Sequence, residues 1–314
     1  LPEFVQQMPV ETIFASAPAP SLQAAADNPD TEVIFADAIT PISREMMDLL
    51  PNLRMIHSEG VAFNAIDIEA ARERGVFVCN NKGCNAVSVA EHAVMLMLMA
   101  LRCGVTGLRA VLAGQQIQFK EQFMVSSSPE LGEQTVGLVG LGDIGAAAAR
   151  LLRPFGCQLY YYTAHRRPPE TEQELGVTYL PLEELAARCS ILSLHCAVNR
   201  QTTHMVNAEL LAHVRPGTIL VNTARGQLVD NLAVRQALID GRLGGIAIDT
   251  FDPEPTPANH PLVDLPAGVA ERAVFSPHLG GITGGSFRRA HQNMWNSVKL
   301  ILEGQRPNFI VNGL

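Results

Sequence analysis

Three stretches of this chain carry side chains able to bind an organic anion and move a proton: NTARG (222–226), DTFDPEP (249–255) and SPHLGG (276–281). Each supplies one residue of chemical interest, Arg225, Glu254 and His278. An arginine grips a carboxylate through two parallel charge-assisted bonds. A histidine exchanges a proton near neutral pH. A carboxylate beside it holds the imidazole in one tautomer and favours its protonated form, ready to donate. Taken singly, Arg225 reads as a surface ion-pair partner, Glu254 as a solvated charge in a proline-rich loop, and His278 as a turn residue ahead of Gly280. Their common context outweighs those readings. Each stretch follows an apolar run of strand character, GTILVN (217–222), GGIAI (244–248) and AVFS (273–276). The carboxyl ends of neighbouring parallel strands bring such residues together.

The element that organises those strands is TVGLVGLGDIG (135–145). Val136, Leu138 and Val139 make a buried strand, and Ala146 to Leu152 continue as a helix with almost no polar face. Between them lies G-x-G-x-x-G. Gly140 permits the tight turn, Gly142 lets backbone approach a pyrophosphate, and Gly145 lets helix and strand pack closely. The N–H groups and positive dipole of the helix start, at Asp143 and Ile144, complete an anion site. A dinucleotide is therefore expected on Gly140, Gly142, Asp143, Ile144 and Gly145.

A chain of 314 residues is long enough for two domains, and 47% hydrophobic with 17% charged residues indicates a compact, soluble protein throughout. A net charge of −8 without a basic run argues against nucleic acid or an anionic membrane as partner and for a small molecule. The six cysteines are scattered, with no C-x-x-C and no zinc-type pairing with histidine, so no metal is expected and reduced thiols in a cytoplasmic protein are. The longest apolar run, AVMLMLMAL (93–101), is about half the ~20 residues that span a bilayer.

Along the chain, ETIFA (11–15), EVIFA (32–36), LRMIH (53–57) and GVFVC (75–79) read as strands, with helices near 44–50 and 68–74: a small parallel α/β unit. The chain opens without an initiator Met, and native residues are expected upstream. The segment 85–102 is a helix with Met and Leu on nearly every face, expected to be buried all round, His92 included, and the helices of 85–112 are expected to form the interface of a homodimer. Residues 113–134 read as a polar linker or arm. Six strands then follow, at 135–139, 157–162, 189–195, 217–222, 244–248 and 273–276, in a doubly wound parallel sheet, and a last helix over 285–303 returns to the first unit.

With GLVGLGDIGAAAARLLRPFG (137–156), LVNTARGQLVD (220–230), AIDTFDPEP (247–255) and SPHLGG (276–281), the chain resembles the D-isomer-specific 2-hydroxyacid dehydrogenases, the family of glyoxylate/hydroxypyruvate reductases and phosphoglycerate dehydrogenase. The resemblance covers roughly residues 31–314. It implies two Rossmann-like doubly wound parallel-sheet domains, the smaller discontinuous: 1–105 with 284–314 as a flavodoxin-like substrate domain, and 106–283 for the dinucleotide, hinged near 103–108 and 281–286. It implies hydride transfer to a small 2-oxo acid, giving the D-2-hydroxy acid. Arg225 then binds the substrate carboxylate and carbonyl, His278 is the acid/base, and Glu254 is its partner. Backbone N–H groups of Gly60, Val61 and Ala62 face the substrate carboxylate, with Ala62 standing where the family commonly has Gly. Asp249 hydrogen-bonds the nicotinamide carboxamide, Thr223 and Ala224 line the same ring, and His195 and Cys196 face the adenosine. NAD-using members place an acidic residue about 20 positions after the glycines. Here Thr163 takes that position, followed by His165, Arg166 and Arg167, so NADP(H) is expected to be preferred, with NAD(H) possible. The alternative on the same fold is a non-catalytic, corepressor-like dinucleotide sensor.

Overall fold

The computed structural model describes residues 2–15, 21–37, 40–126 and 129–314. Its contacts separate two compact units, 1–85 with 282–314, and 86–281. The first holds α1 (Ser21–Asp27), β1 (Val33–Ala36), α2 (Arg44–Asp48), β2 (Met55–Ser58), α3 (Ile68–Glu73) and β3 (Phe77–Cys79). Its three strands pair in parallel in the order β1-β2-β3. Residues 11–15 do not join this sheet, contrary to the strand read there, and Phe14 is 86% exposed. Five residues of mixed apolar character are too few for periodicity to separate strand from coil.

The second unit starts with α4 (Ala86–Leu101), α5 (Gly104–Leu112) and α6 (Gln116–Ser126). The expected boundary at 105/106 therefore moves to 85/86. Ala90, Ala93 and Met97 of α4 share a core with Ala148, Ala149 and Leu152, and small residues on both sides allow that close approach. Nor is α4 buried all round, since Val87 and Met95 are exposed. The polar stretch 113–134, read as a linker or arm, contains the helix α6. No residue of α6 is buried, so it carries no fully buried apolar stripe to reveal it in the sequence; half-buried Phe119 and Phe123 stack on one another, with Phe119 against Gly107 of α5.

Next come β4 (Thr135–Val139), α7 (Asp143–Leu152), β5 (Gln158–Tyr162), α8 (Pro169–Leu175), β6 (Val177–Tyr179), α9 (Leu182–Arg188) and β7 (Ile191–Leu194). They are followed by α10 (Ala208–His213), β8 (Thr218–Asn222), α11 (Asn231–Ile239), β9 (Leu243–Ile248) and β10 (Ala273–Phe275). The sheet is parallel throughout and has seven strands, ordered β10-β9-β8-β7-β4-β5-β6. The strand beyond the six expected is β6, three residues following the left-handed Gly176, too short for a pattern to show. Strand order reverses between β4 and β7, which opens the ligand crevice at their carboxyl ends. The last helix, α12 (Gly284–Leu302), belongs to the first unit, where Trp295 packs edge-on against Phe35.

Candidate active site

The turn after β4 is shaped for a pyrophosphate. Gly140 lies at φ 104, and a Cβ there would come 2.7 Å from the backbone of His195 and Cys196. At Gly145 a Cβ would come 2.2 Å from the Gly140 carbonyl, whereas at Gly142 it would meet nothing within 4 Å. The open side of the turn is thus the side that a ligand would approach. Helix α7 begins at Asp143 with no side-chain cap on its Gly142 N-cap, so its first-turn N–H groups face outward for an anion. Chain and dinucleotide fit on that observation.

The loop after β5 is held more firmly than its charge suggests. Tyr161 Oη donates to Glu172 Oε1 (2.7 Å) and accepts from Arg167 N (2.8 Å). Arg166 clamps the same carboxylate through Nε and Nη2, both at 2.8 Å. Those bonds from Arg166 and Tyr161 lower the Glu172 pKa to about 2. Arg166, expected as a free cation, is thereby half of an ion pair. Arg167 instead donates from Nη2 to the Leu141 carbonyl (2.9 Å), which places its charge against the glycine turn. Thr163 Oγ1 closes the bend on the His165 carbonyl at 2.7 Å, and His165 is exposed.

His195 and Cys196 lie under the glycine turn. Burial lowers the His195 pKa to about 4 and raises that of the Cys196 thiol to about 11, so both are neutral. His195 Nε2 pairs with Ser193 Oγ at 2.9 Å. Among the described residues the hydroxyl of Thr223, beside Ala224 on the β8 turn, has no partner although it is buried.

At the carboxyl ends of β8, β9 and β10 the three expected residues divide into a pair and a neighbour. His278 Nδ1 bonds Glu254 Oε2 at 2.8 Å, while Glu254 Oε1 accepts Phe251 N at 2.8 Å. The carboxylate is thus fixed from both sides, and the imidazole presents Nε2. Arg225 is exposed and donates to the Ala224 carbonyl. Among the described residues no hydrogen bond joins Arg225 to Glu254 or His278, but the turn carrying it is set against the Glu254 loop. A Cβ on Gly226 would lie 2.1 Å from the Phe251 carbonyl carbon. Gly226→Ala must therefore displace one loop or the other. We expect a loss of about 1–3 kcal/mol in stability together with a fall in turnover, read by thermal melting and kinetics; an unchanged melting curve and rate would show that the contact relaxes freely.

Sequence reasoning missed the residues that tie these loops. Asn222 brackets the arginine turn, accepting Ala224 N (3.0 Å) and donating to the Arg225 carbonyl (2.9 Å). An Asn ending a strand ahead of a turn is a legible signal for this. His260, which is buried, and half-buried Asn231 both reach the Asp252 carbonyl, each at 3.0 Å. Those contacts bridge 8 and 21 positions of the chain and leave no periodic pattern in the sequence.

Asp249 follows β9 and packs against the His278 loop. It is 1% exposed and accepts from Ser276 Oγ, Leu279 N (2.9 Å) and Gly280 N (2.9 Å), with His92 Nε2 at 3.2 Å. Burial raises its pKa, but the donors His92, Ser276, Gly280 and Leu279 outweigh burial and bring it down to about 2. Oδ1 takes three of these donors and Oδ2 only Gly280 N, so the carboxylate anchors the His278 loop and Oδ2 keeps a lone pair for a further donor.

In the first unit, the loop of Gly60, Val61 and Ala62 is tied by Asn80 Nδ2 to the Val61 carbonyl (2.8 Å) and by Ser58 Oγ to the Ala62 carbonyl (2.6 Å). Among the described residues the Val61 and Ala62 N–H groups have no protein acceptor.

A glycine turn under an uncapped helix, with an oriented imidazole at the same sheet edge, defines a dinucleotide-binding domain equipped for proton transfer. Residues 94–280 match the family described as D-isomer specific 2-hydroxyacid dehydrogenase, NAD binding domain. A glyoxylate reductase of Korarchaeum cryptofilum is 33% identical over 90% of this chain and 83% of its own length. The solved apo D-mandelate dehydrogenase of Rhodotorula graminis superposes with a TM-score of 0.82 at 25% identity, covering 92% of this chain and 86% of that one. A solved glyoxylate reductase from Paecilomyes thermophila gives 0.77 at 27% identity, covering 92% and 87%. The chain belongs to the D-isomer-specific 2-hydroxyacid dehydrogenase family, whose members are NAD(P)-dependent oxidoreductases.

Proposed function

We propose that this protein reduces a small 2-oxo acid of the glyoxylate or hydroxypyruvate kind to the D-2-hydroxy acid, with NADP(H) preferred over NAD(H). The observation that carries the reading is the His278–Glu254 pair, which leaves Nε2 as the outward nitrogen. It also favours turnover over a purely sensing role. Bound at the glycine turn, the dinucleotide supplies the hydride that the carbonyl carbon receives. His278 gives its Nε2 proton to the carbonyl oxygen. Glu254 holds the ring and stabilises the charge it carries before donation. Arg225 neutralises the substrate carboxylate; in the first unit, the N–H groups of Val61 and Ala62, beside Gly60, are open to an anion.

The cofactor preference is supported by the neutral Thr163, by exposed His165 and by Arg167 on the Leu141 carbonyl. A homodimer is supported by an apolar cleft where Met95, Leu98, Leu151 and Phe155 meet the surface. The cysteines are all free, as a reducing, cytoplasmic compartment requires, and among the described residues no single helix is long and apolar enough to cross a membrane.

Initial rates with a panel of 2-oxo acids and both cofactors test the reading, and absence of turnover with every pair overturns it. Within that assay Arg225→Lys should lower kcat/KM by about 10- to 100-fold, because a point charge replaces one of two charge-assisted bonds. Near-normal kinetics would remove Arg225 from the substrate site.

A further inference from the structure

The His278 loop is held from an element outside the sheet. His278 itself lies at φ 55, a left-handed conformation that a non-glycine residue keeps only when its surroundings over-determine it. Its own backbone N–H reaches the Asp249 carbonyl at 2.9 Å. The Asp249 carboxylate takes the next two N–H groups, those of Leu279 and Gly280. Ser276 Oγ gives its single proton to the same carboxylate, so it can only accept from His92 Nε2, 2.8 Å away. His92 therefore carries its proton on Nε2 and acts as a donor. Its ring also walls the loop, since a Cβ on Gly280 would sit 3.6 Å from His92 Cδ2.

We propose that His92, on α4, is a positioning residue for the acid/base: through Ser276 and Asp249 it locks residues 276–280 and so sets the direction of the His278 imidazole. The inference rests on the reductase reading for its kinetic consequence and on the loop geometry alone for its structural one. Among the described residues His92 makes no hydrogen bond to Arg225, Glu254, His278 or the glycine turn. Its loss acts on the placement of the proton donor, and a misplacement of about 1 Å far from the chemistry costs ~100-fold in rate.

The test compares His92→Ala, His92→Gln and Ser276→Ala in the full chain. Gln can place an amide N–H near the position of Nε2; Ser276→Ala removes the relay while leaving the α4 core intact. We expect His92→Ala and Ser276→Ala to lower kcat ~10- to 100-fold with the dissociation constant of NADPH, read by fluorescence, within about threefold, and His92→Gln to recover most of the rate. Amide exchange of Leu279 and Gly280 should accelerate in both alanine variants and be restored in His92→Gln. Unchanged kcat in both alanine variants, unchanged exchange at those two amides, or a glutamine variant no better than alanine overturns the proposal. If the parent chain reduces no 2-oxo acid, the reductase reading fails while the exchange measurement still decides the role of His92.

Discussion

His278→Ala lowers kcat by about 10²–10⁴-fold, the usual contribution of a positioned proton donor, while NADPH binds as tightly as to the parent. The split follows from placement. His278 sits at the β10 edge with Nδ1 on Glu254, whereas the dinucleotide phosphates are expected on the turn after β4. Because His278 occupies a left-handed conformation, alanine adds backbone strain to the chemical loss. His278→Asn separates the two effects, since Asn tolerates that region. Equal losses of kcat in both variants, with unchanged NADPH affinity, are the expected result. Parallel loss of cofactor affinity and melting temperature would make His278 a structural residue.

Thr163→Asp moves cofactor preference from NADPH toward NADH. The parent favours NADPH at ordinary ionic strength, and the advantage shrinks with added salt, because exposed cations are screened over a Debye length of ~8 Å. Aspartate adds an acceptor for the ribose hydroxyls and a charge that repels a 2′-phosphate, the paired attraction and repulsion that changes of specificity require. Like charges juxtaposed in a site cost several kcal/mol, so the ratio of catalytic efficiencies should swing by ~10²–10³. Because Arg166 is paired with Glu172 and Arg167 rests on the Leu141 carbonyl, aspartate meets a loop already braced. The substitution also removes the bond from Thr163 to the His165 carbonyl, so total activity is followed alongside the ratio. A parent that prefers NADH, or a variant whose ratio does not move, would reduce the basic loop to solvated surface.

The parts legible in the sequence are those whose physics is local. The glycine spacing ahead of an apolar helix announced the phosphate turn, because tight turn, close approach and helix dipole all lie within eleven residues, 135–145. The parallel sheet was readable from apolar runs bounded by polar stretches, since strands covered on both faces need continuous apolar sequence. Arg225, Glu254 and His278 were readable as a set because each closes such a run. The segments that escaped lack that signal: β6 is three residues long, α6 buries none of its side chains, and residues 11–15 look apolar yet join no strand.

Tertiary structure alone decided which charges remain available and what holds the catalytic loop. In the sequence Arg166 and Arg167 are equivalent cations. In the fold one is neutralised by Glu172 and the other is brought to the glycine turn, because β5 and α8 place Tyr161 and Glu172 beneath them. Asp249 shows no local sign of its partners in the sequence, yet burial at the end of β9 surrounds it with four donors from the His278 loop and α4. A residue's type and neighbours determine what it is able to do. Which partner satisfies it depends on groups more than a hundred residues away, as His92 is from Asp249, and only packing brings them within hydrogen-bond reach.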